Sequence, residues 1–436
     1  MKTFHIITFG CQMNEHDSER MSGILKEKAF APVSTPEEAD VIILNTCSIR
    51  EKAEQKFYSE LGRLRRLKKK NPKLTIAVAG CIAQQEGEGL LARGRHVDLV
   101  LGPSDITRLS EMMDCKEDKN SAVVAISGDP EYHQRPIPTL RSDRLRAWVS
   151  IMYGCDNFCT YCVVPYLRGR ERSRPPEHIV EEVRDLAEQG YKEVTLLGQN
   201  VNSYGKGLGR DIDFPGLLGM VDGVFGIERI WFVTSHPRDL SDRLIKALGE
   251  LPKVCEAIHL PIQSGSDRIL SAMNRRYTRD EYLDKVKRLR REVPGIAITT
   301  DIIVGFPGET EDDFNMTMGL LQEVEYDSIF AFKYSKRPNT PAIGLPGHLA
   351  EEIKEKRLDA VLALQRRITI QKNKSLVGTI QEVLVDGISR RGGMLSGRTR
   401  TNKVVNLSGP YSPLGRIVNV RITSAGPNSL SGEVCA

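Results

Sequence analysis

The chain has 436 residues, 40% apolar and 27% charged, with a formal net charge of +5. At roughly 100–200 residues per domain, this predicts two to four domains with ample core and excludes bulk disorder. Apolar runs such as Val41-Ile42-Ile43-Leu44 fall far short of the ~20 residues of a membrane span, and the amino terminus lacks the shape of a signal peptide, so a soluble cytoplasmic protein with no membrane partner is expected.

Residues 1–115 alternate short β-rich runs, at 3–9, 41–45 and 74–79, with helical stretches at 18–28 and 49–70. This βαβαβ pattern predicts an α/β unit with a parallel sheet. Lys68, Lys69 and Lys70 close the second helix, where cations suit the dipole, and read as a solvated face. Residues 116–146 are polar and carry Pro130, Pro136 and Pro138; they read as a linker with a strand or two. Strands are then expected at 148–153, 193–197, 229–234, 257–260, 296–304 and 328–334, with helices at 177–189, 240–251, 279–292 and 311–325. Six βα units imply a (β/α)6 sheet, either a partial barrel or an open doubly wound fold. A charged connector helix follows at 350–374. Beyond it come short β-branched runs at 379–385, 403–407, 417–422 and 430–434, separated by Gly and Ser turns, which suit a small antiparallel barrel. Residues 371–436 hold nine Lys/Arg and three Asp/Glu. The excess positive charge sits there, and it indicates either a polyanionic partner, most often nucleic acid, or a solubilising surface.

The nine cysteines are odd in number and lie in a long chain with no export signal, so metal or redox chemistry is expected rather than a disulfide framework. Cys155-x3-Cys159-x2-Cys162 follows the first strand of the second α/β unit. Three thiolates can hold three irons of a four-iron cluster and leave the fourth open to a substrate or cofactor. Zinc would want a fourth ligand at ribbon spacing, and none stands there. Cys11, Cys47 and Cys81 each come directly after a predicted strand, about one βα unit apart. If the strands are neighbours, these thiols converge at one sheet edge and could hold a second cluster; otherwise they are ordinary buried thiols. Cys115, Cys255 and Cys435 have no partner at ligand spacing and read as bystanders.

The Cys155/Cys159/Cys162 spacing resembles the radical S-adenosylmethionine (SAM) superfamily. Gly198-Gln199-Asn200 after strand two, the 260–266 run after strand four and Gly305-Phe306-Pro307-Gly308-Glu309-Thr310 after strand five are similar to its SAM-contacting segments, all at carboxyl ends of strands. The 8–19 stretch, with Gly10-Cys11-Gln12-Met13-Asn14, resembles the methylthiotransferases, in the branch that modifies isopentenylated adenosine in tRNA. That resemblance implies an amino-terminal domain at 1–118, a radical SAM core at 141–371 and a TRAM RNA-binding barrel at 374–436. It implies two [4Fe-4S] clusters, on Cys11/Cys47/Cys81 and on Cys155/Cys159/Cys162, the second binding SAM on its open iron and cleaving it to a 5′-deoxyadenosyl radical. Gln199, Asn200, Gln263 and Asp301 are expected to contact SAM or substrate. The implied reaction places sulfur and methyl at C2 of N6-dimethylallyladenosine at position 37, in the tRNA anticodon stem-loop. The protein would act as a monomer, with sulfur donor and one-electron reductant left open. Threonylcarbamoyladenosine tRNA or a ribosomal protein are sibling substrates, and a non-catalytic iron–sulfur sensor is the reading from another class. For phosphate contacts the sequence offers Arg390, Arg391, Arg398, Arg400 and Lys403. Arg168, Arg170, Arg172 and Arg174 form a second set, whose alternate spacing predicts one face of a strand. His236 is read as a substrate contact or a turn cap, and Trp148 and Trp231 as core.

Overall fold

A computed structural model describes residues 1–48, 51–119, 121–128, 137–389, 394–408 and 414–435. The amino-terminal unit is built on Val41–Thr46, every residue of which is buried. Continuous burial is the mark of a parallel strand covered on both faces. Val41 and Ile43 pack on Met21 and Leu25 of the helix Gln12–Glu27, whereas Ile42 and Leu44 face Phe57, Leu61 and Leu64 of the helix Glu51–Lys70. Each of these side chains contributes about 1.5–3 kcal/mol by leaving water. Thr3–Thr8 and Thr75–Gly80 flank this strand, and Ala31–Pro32, Leu99–Leu101 and Val123–Ala125 complete six strands, all parallel. Leu99–Leu101 is a three-residue strand that the sequence reading did not resolve, and Val123–Ala125 falls in the 116–146 stretch read as a linker with a strand or two. Lys68 is not purely solvated: its ammonium holds Asp98 at 2.7 Å.

The central unit has six parallel strands in chain order. Arg146–Ser150, Glu193–Leu197 and Arg229–Phe232 form one three-stranded sheet; Ala257–His259, Ala297–Val304 and Ser328–Lys333 form another. A parallel bridge between Ile230 and Val254 joins them. The face toward the surrounding helices carries Val149, Leu196, Ile230, Ile258 and Ile302 in one large core. Ser241, Ser266, Thr278 and Thr310 accept a backbone N–H and cap the helices that follow them, each such cap being worth about 1 kcal/mol. The connector helix Glu351–Lys374 returns across this unit and buries Val361, Leu364 and Ile368 in the same core.

The carboxy-terminal unit is a closed five-stranded barrel of Ile380–Ile388, Leu395–Thr399, Val404–Ser408, Ile417–Ala425 and Leu430–Val434. Four of its five pairings are antiparallel; Val404–Ser408 and Leu430–Val434 close it in parallel. It docks at the amino-terminal ends of the central strands. Arg229, fully buried, donates to the Arg398 and Glu382 carbonyls and to the Glu382 carboxylate, and Arg146 holds Asp386 at 3.0 Å.

Candidate active site at two cysteine trios

Thr8, Asn45 and Ala79 stand abreast on three neighbouring strands. Cys11, Cys47 and Cys81 follow them at the carboxyl edge, so the neighbour condition set by the sequence is met. Cys11 is the residue before the helix Gln12–Glu27, and Cys81 opens the helix Cys81–Glu86. Helix N-termini carry partial positive charge and favour thiolates. Gly10 has φ +117, and a Cβ there would lie 2.3 Å from Cys47 Cβ, so glycine is what lets Cys11 and Cys47 approach. Asn14 ties the edge together by donating to the Phe9 and Thr46 carbonyls at 2.8 and 2.7 Å. Arg168 reaches this edge from the central unit, donating to Asp17 at 2.9 Å and Asn14 at 3.2 Å. Burial pushes the Cys81 thiol up, and the neighbouring Arg168 charge opposes that shift.

The second trio lies in the loop after the first central strand. Gly154 N–H donates to Gln199 Oε1 at 2.6 Å, and Cys155 N–H to the Gly169 carbonyl at 3.2 Å. Phe158 adopts φ +46 between Cys155 and Cys159. Arg275, 3% exposed, donates to Cys159 Sγ at 3.3 Å, to Tyr161 Oη at 3.4 Å and to the Pro261 carbonyl at 2.6 Å. Burial, with Cys159 alongside, pushes the Cys162 thiol up to about 12, and burial pushes Cys155 up to about 11. Such thiols stay protonated until a metal displaces the proton.

The two trios share one plan: three cysteines and one buried arginine, Arg168 for the first and Arg275 for the second. Among the described residues, no three His, Cys, Asp or Glu side chains stand close enough to share one metal ion. A four-iron cluster asks for something else, one thiolate on each of three separate irons, and a guanidinium suits the negative charge such a group brings. The trios are adjacent, since Val163, the residue after Cys162, packs on Cys81.

The other expected site residues divide. Gln199 is joined to the cysteine loop through Gly154. Asn200 donates to Asp239 at 2.7 Å, and Arg238 beside it reaches Asn157 of the cysteine loop at 2.5 Å. Gln263 and Asp301 are brought together, the Gln263 N–H donating to the Asp301 carbonyl at 2.9 Å. Gln263 holds φ +75, and its buried Oε1 has no hydrogen-bond partner among the described residues. Asp301 lies 3.4 Å from His259 Nε2. His236 caps the turn Pro237–Asp239, its Nδ1 accepting from Arg238 N–H.

The phosphate assignments need correction. Arg168, Arg170, Arg172 and Arg174 do not share a face. Arg168 ends the helix Val164–Arg168, Gly169 at φ +76 breaks the alternation, and Arg174 is buried against Glu182 at 2.9 Å. Arg170 holds Asp156 at 2.7 Å. Arg400 grips Glu256 and the Pro252 and Val254 carbonyls, and Lys403 holds Asp327 at 3.0 Å. Arg398 donates to Asn402 at 2.9 Å. Arg400 and Lys403 therefore serve as glue between units, while Arg398 bonds within the barrel; Arg390 and Arg391 lie outside the described residues. Arg275 was missed altogether. Its only signal was its place between Asn274 and Arg276, both left-handed at φ +57 and +58, which spacing rules do not reveal.

Two buried histidines give a pH prediction. His16 is fully buried among Arg20, Arg141, Arg174 and Arg168, and His236 lies beside Arg275 and Arg238. Burial first, then these cations, holds both imidazoles well below their ordinary value, hence neutral. Below about pH 6.5 the unfolded chain takes up two protons that the fold refuses. Stability then falls on acidification by up to about 1.4 kcal/mol per pH unit for each imidazole. The melting midpoint should drop between pH 7 and 5.5, and His16→Gln should flatten that slope.

Comparison with known proteins matches all three units. Residues 3–102 match the family described as Uncharacterized protein family UPF0004, 149–321 the Radical SAM superfamily and 374–435 the TRAM domain. The tRNA-2-methylthio-N(6)-dimethylallyladenosine synthase of Thermodesulfovibrio yellowstonii is 52% identical over 435 residues, covering 99% of each chain. That of Geotalea uraniireducens is 50% identical over 436 residues, covering 100% of this chain and 99% of its own. Among solved structures, the radical S-adenosylmethionine methyltransferase TsrM from Kitasatospora setae, with cobalamin and a [4Fe-4S] cluster bound, overlays with a TM-score of 0.56. The match is at 14% identity and covers 89% of this chain and 82% of that one; at that identity it speaks to the fold alone. With full-length identity near one half and all three units matched in order, the chain belongs to the radical SAM family of tRNA-2-methylthio-N(6)-dimethylallyladenosine synthases.

Proposed function

We propose that the chain is a tRNA methylthiotransferase that converts N6-dimethylallyladenosine at position 37, beside the anticodon, to its 2-methylthio derivative. It would act as a cytoplasmic monomer with SAM and two [4Fe-4S] clusters, one on Cys11, Cys47 and Cys81 and one on Cys155, Cys159 and Cys162. The observation that carries this is the pair of adjacent cysteine trios, each with its own buried arginine. C2 of adenine bears an unactivated C–H bond that no acid or base side chain can break, and the clusters and SAM, when bound, supply the one-electron chemistry and the sulfur.

The protein's own part is placement. The units at 1–118 and 141–371 present carboxyl strand edges to each other, and the contacts of Arg168 with Asp17 and Asn14 hold those edges together. The buried Arg168 and Arg275 would compensate the charge a cluster brings. Gln199 fixes the Cys155 loop through Gly154. Gln263 and Asp301 present polar groups for SAM or the substrate base. The unit at 374–436 supports RNA binding by its net positive charge.

The test is turnover. Reconstituted protein with SAM, reductant, sulfide and an anticodon stem-loop RNA bearing N6-dimethylallyladenosine should yield the 2-methylthio nucleoside by mass spectrometry. Formation of 5′-deoxyadenosine with the base left unmodified would contradict the assignment.

A further inference from the structure

A cleft of about 640 Å³ lies where the amino-terminal unit meets the far edge of the central sheet. One wall is the start of the helix Glu51–Lys70, with Glu54 and Tyr58. The other is the loop after the sixth central strand, with Tyr334, Lys336 and Arg337. Both walls spring from the active region. The helix begins four residues after Cys47. Tyr334 packs edge-on against Phe306, with ring centres 5.4 Å apart, in the same apolar cluster as Tyr161 of the second cysteine loop.

We propose that this cleft binds the single-stranded RNA adjoining the reacting nucleotide, with a backbone phosphate at Lys336 and a base against Tyr58. The inference rests on the tRNA reading above and names where the loop strand is held.

The charges favour an anion. Arg337 is engaged with Glu54 at 2.9 Å, Lys333 with Glu351 and Glu355 at 3.1 and 2.9 Å, and Lys354 with Glu351. Both acidic linings of the cleft, Glu54 and Glu351, are thus already matched. Lys336 is exposed and has no carboxylate within ion-pair distance among the described residues. The wall chemistry favours a nucleotide over a simple ion. Tyr334 lines the cleft but is 4% exposed, its ring packed against Phe306 and His348, which leaves Tyr58 as the aromatic open to a base. Tyr58 is half-buried on the opposite wall. Splayed bases of single-stranded RNA stack on aromatic side chains while cations track the backbone. The volume lies in the range of pockets that enclose a small organic ligand, enough for one nucleotide. The demand is real as well, because Arg400 and Lys403 are committed to docking the barrel at the opposite end of the central strands.

The experiment uses the full reconstituted chain and the anticodon stem-loop RNA bearing N6-dimethylallyladenosine. Lys336→Glu should raise Kd about 10-fold and lower the slope of log Kd against log salt by about 0.7–1. Lys336→Arg should bind as wild type, and an unchanged melting midpoint would show that each variant is folded. Unchanged Kd and salt slope in Lys336→Glu, with wild type still forming the 2-methylthio product, would overturn the cleft assignment alone. Failure of wild type to modify this RNA would overturn the tRNA reading and the cleft with it.

Discussion

Arg357→Ala lowers the stability of the central unit by about 3–5 kcal/mol, the cost of leaving a buried carboxylate without its partner. Arg357 sits in the connector helix and donates to the Glu309 carboxylate at 2.6 Å and to its carbonyl at 3.1 Å. Glu309 ends the Gly305–Glu309 segment after the fifth central strand, and its side chain is 1% exposed. Burial pushes that carboxyl up, and the Gly305 N–H and Arg357 pull it back. Without the guanidinium, Glu309 must protonate or drag the segment toward water. A melting midpoint lowered by roughly 10 °C is expected. Pairing the change with Glu309→Gln should restore much of the loss, because a neutral amide tolerates burial where an unpaired charge does not. A single variant that melts with wild type would show that the pair contributes little.

Gly154→Ala should cost about 100-fold in 5′-deoxyadenosine formation. Gly154 holds φ +74, and a Cβ there would lie 2.1 Å from the Arg170 carbonyl oxygen and 2.6 Å from that of Gly169. Both obstacles are backbone, so no rotamer change relieves them. The adjoining bonds, Gly154 to Gln199 and Cys155 to Gly169, are those that set the direction of the cysteine loop. Displacing reacting groups by about 1 Å is enough for a loss of that size. Rate and iron content measured together check the claim: the variant should lose both, and wild-type turnover would refute the role given to this turn.

What the sequence made legible was whatever one strand or one loop encodes by itself. Val41–Thr46 announces a doubly covered parallel strand because Val41, Ile42, Ile43 and Leu44 form an unbroken apolar run, and Glu193–Leu197 and Arg279–Glu292 fall where the periodicity puts them. The three-residue strands Leu99–Leu101 and Val123–Ala125 are too short to show a period. The helix Phe214–Asp222 hides behind Pro215, Gly216 and Gly219, and Leu395–Thr399 behind Gly397. At the site, cysteine spacing located both trios, because βα units have a regular length. Arginine spacing misled. A side chain's charge is visible in sequence, but whether it meets solvent or a carboxylate from another unit is decided by docking. Arg168 finds Asp17 across 151 residues, and Arg400 finds Glu256 across 144.

The central claim, two separate three-cysteine clusters in one enzyme, is tested most directly by iron and sulfide per chain after anaerobic reconstitution. Wild type should bind about eight irons, and about four should remain in Cys155/Cys159/Cys162→Ala and in Cys11/Cys47/Cys81→Ala. About four irons in wild type, falling to none when Cys155, Cys159 and Cys162 are replaced, would contradict it.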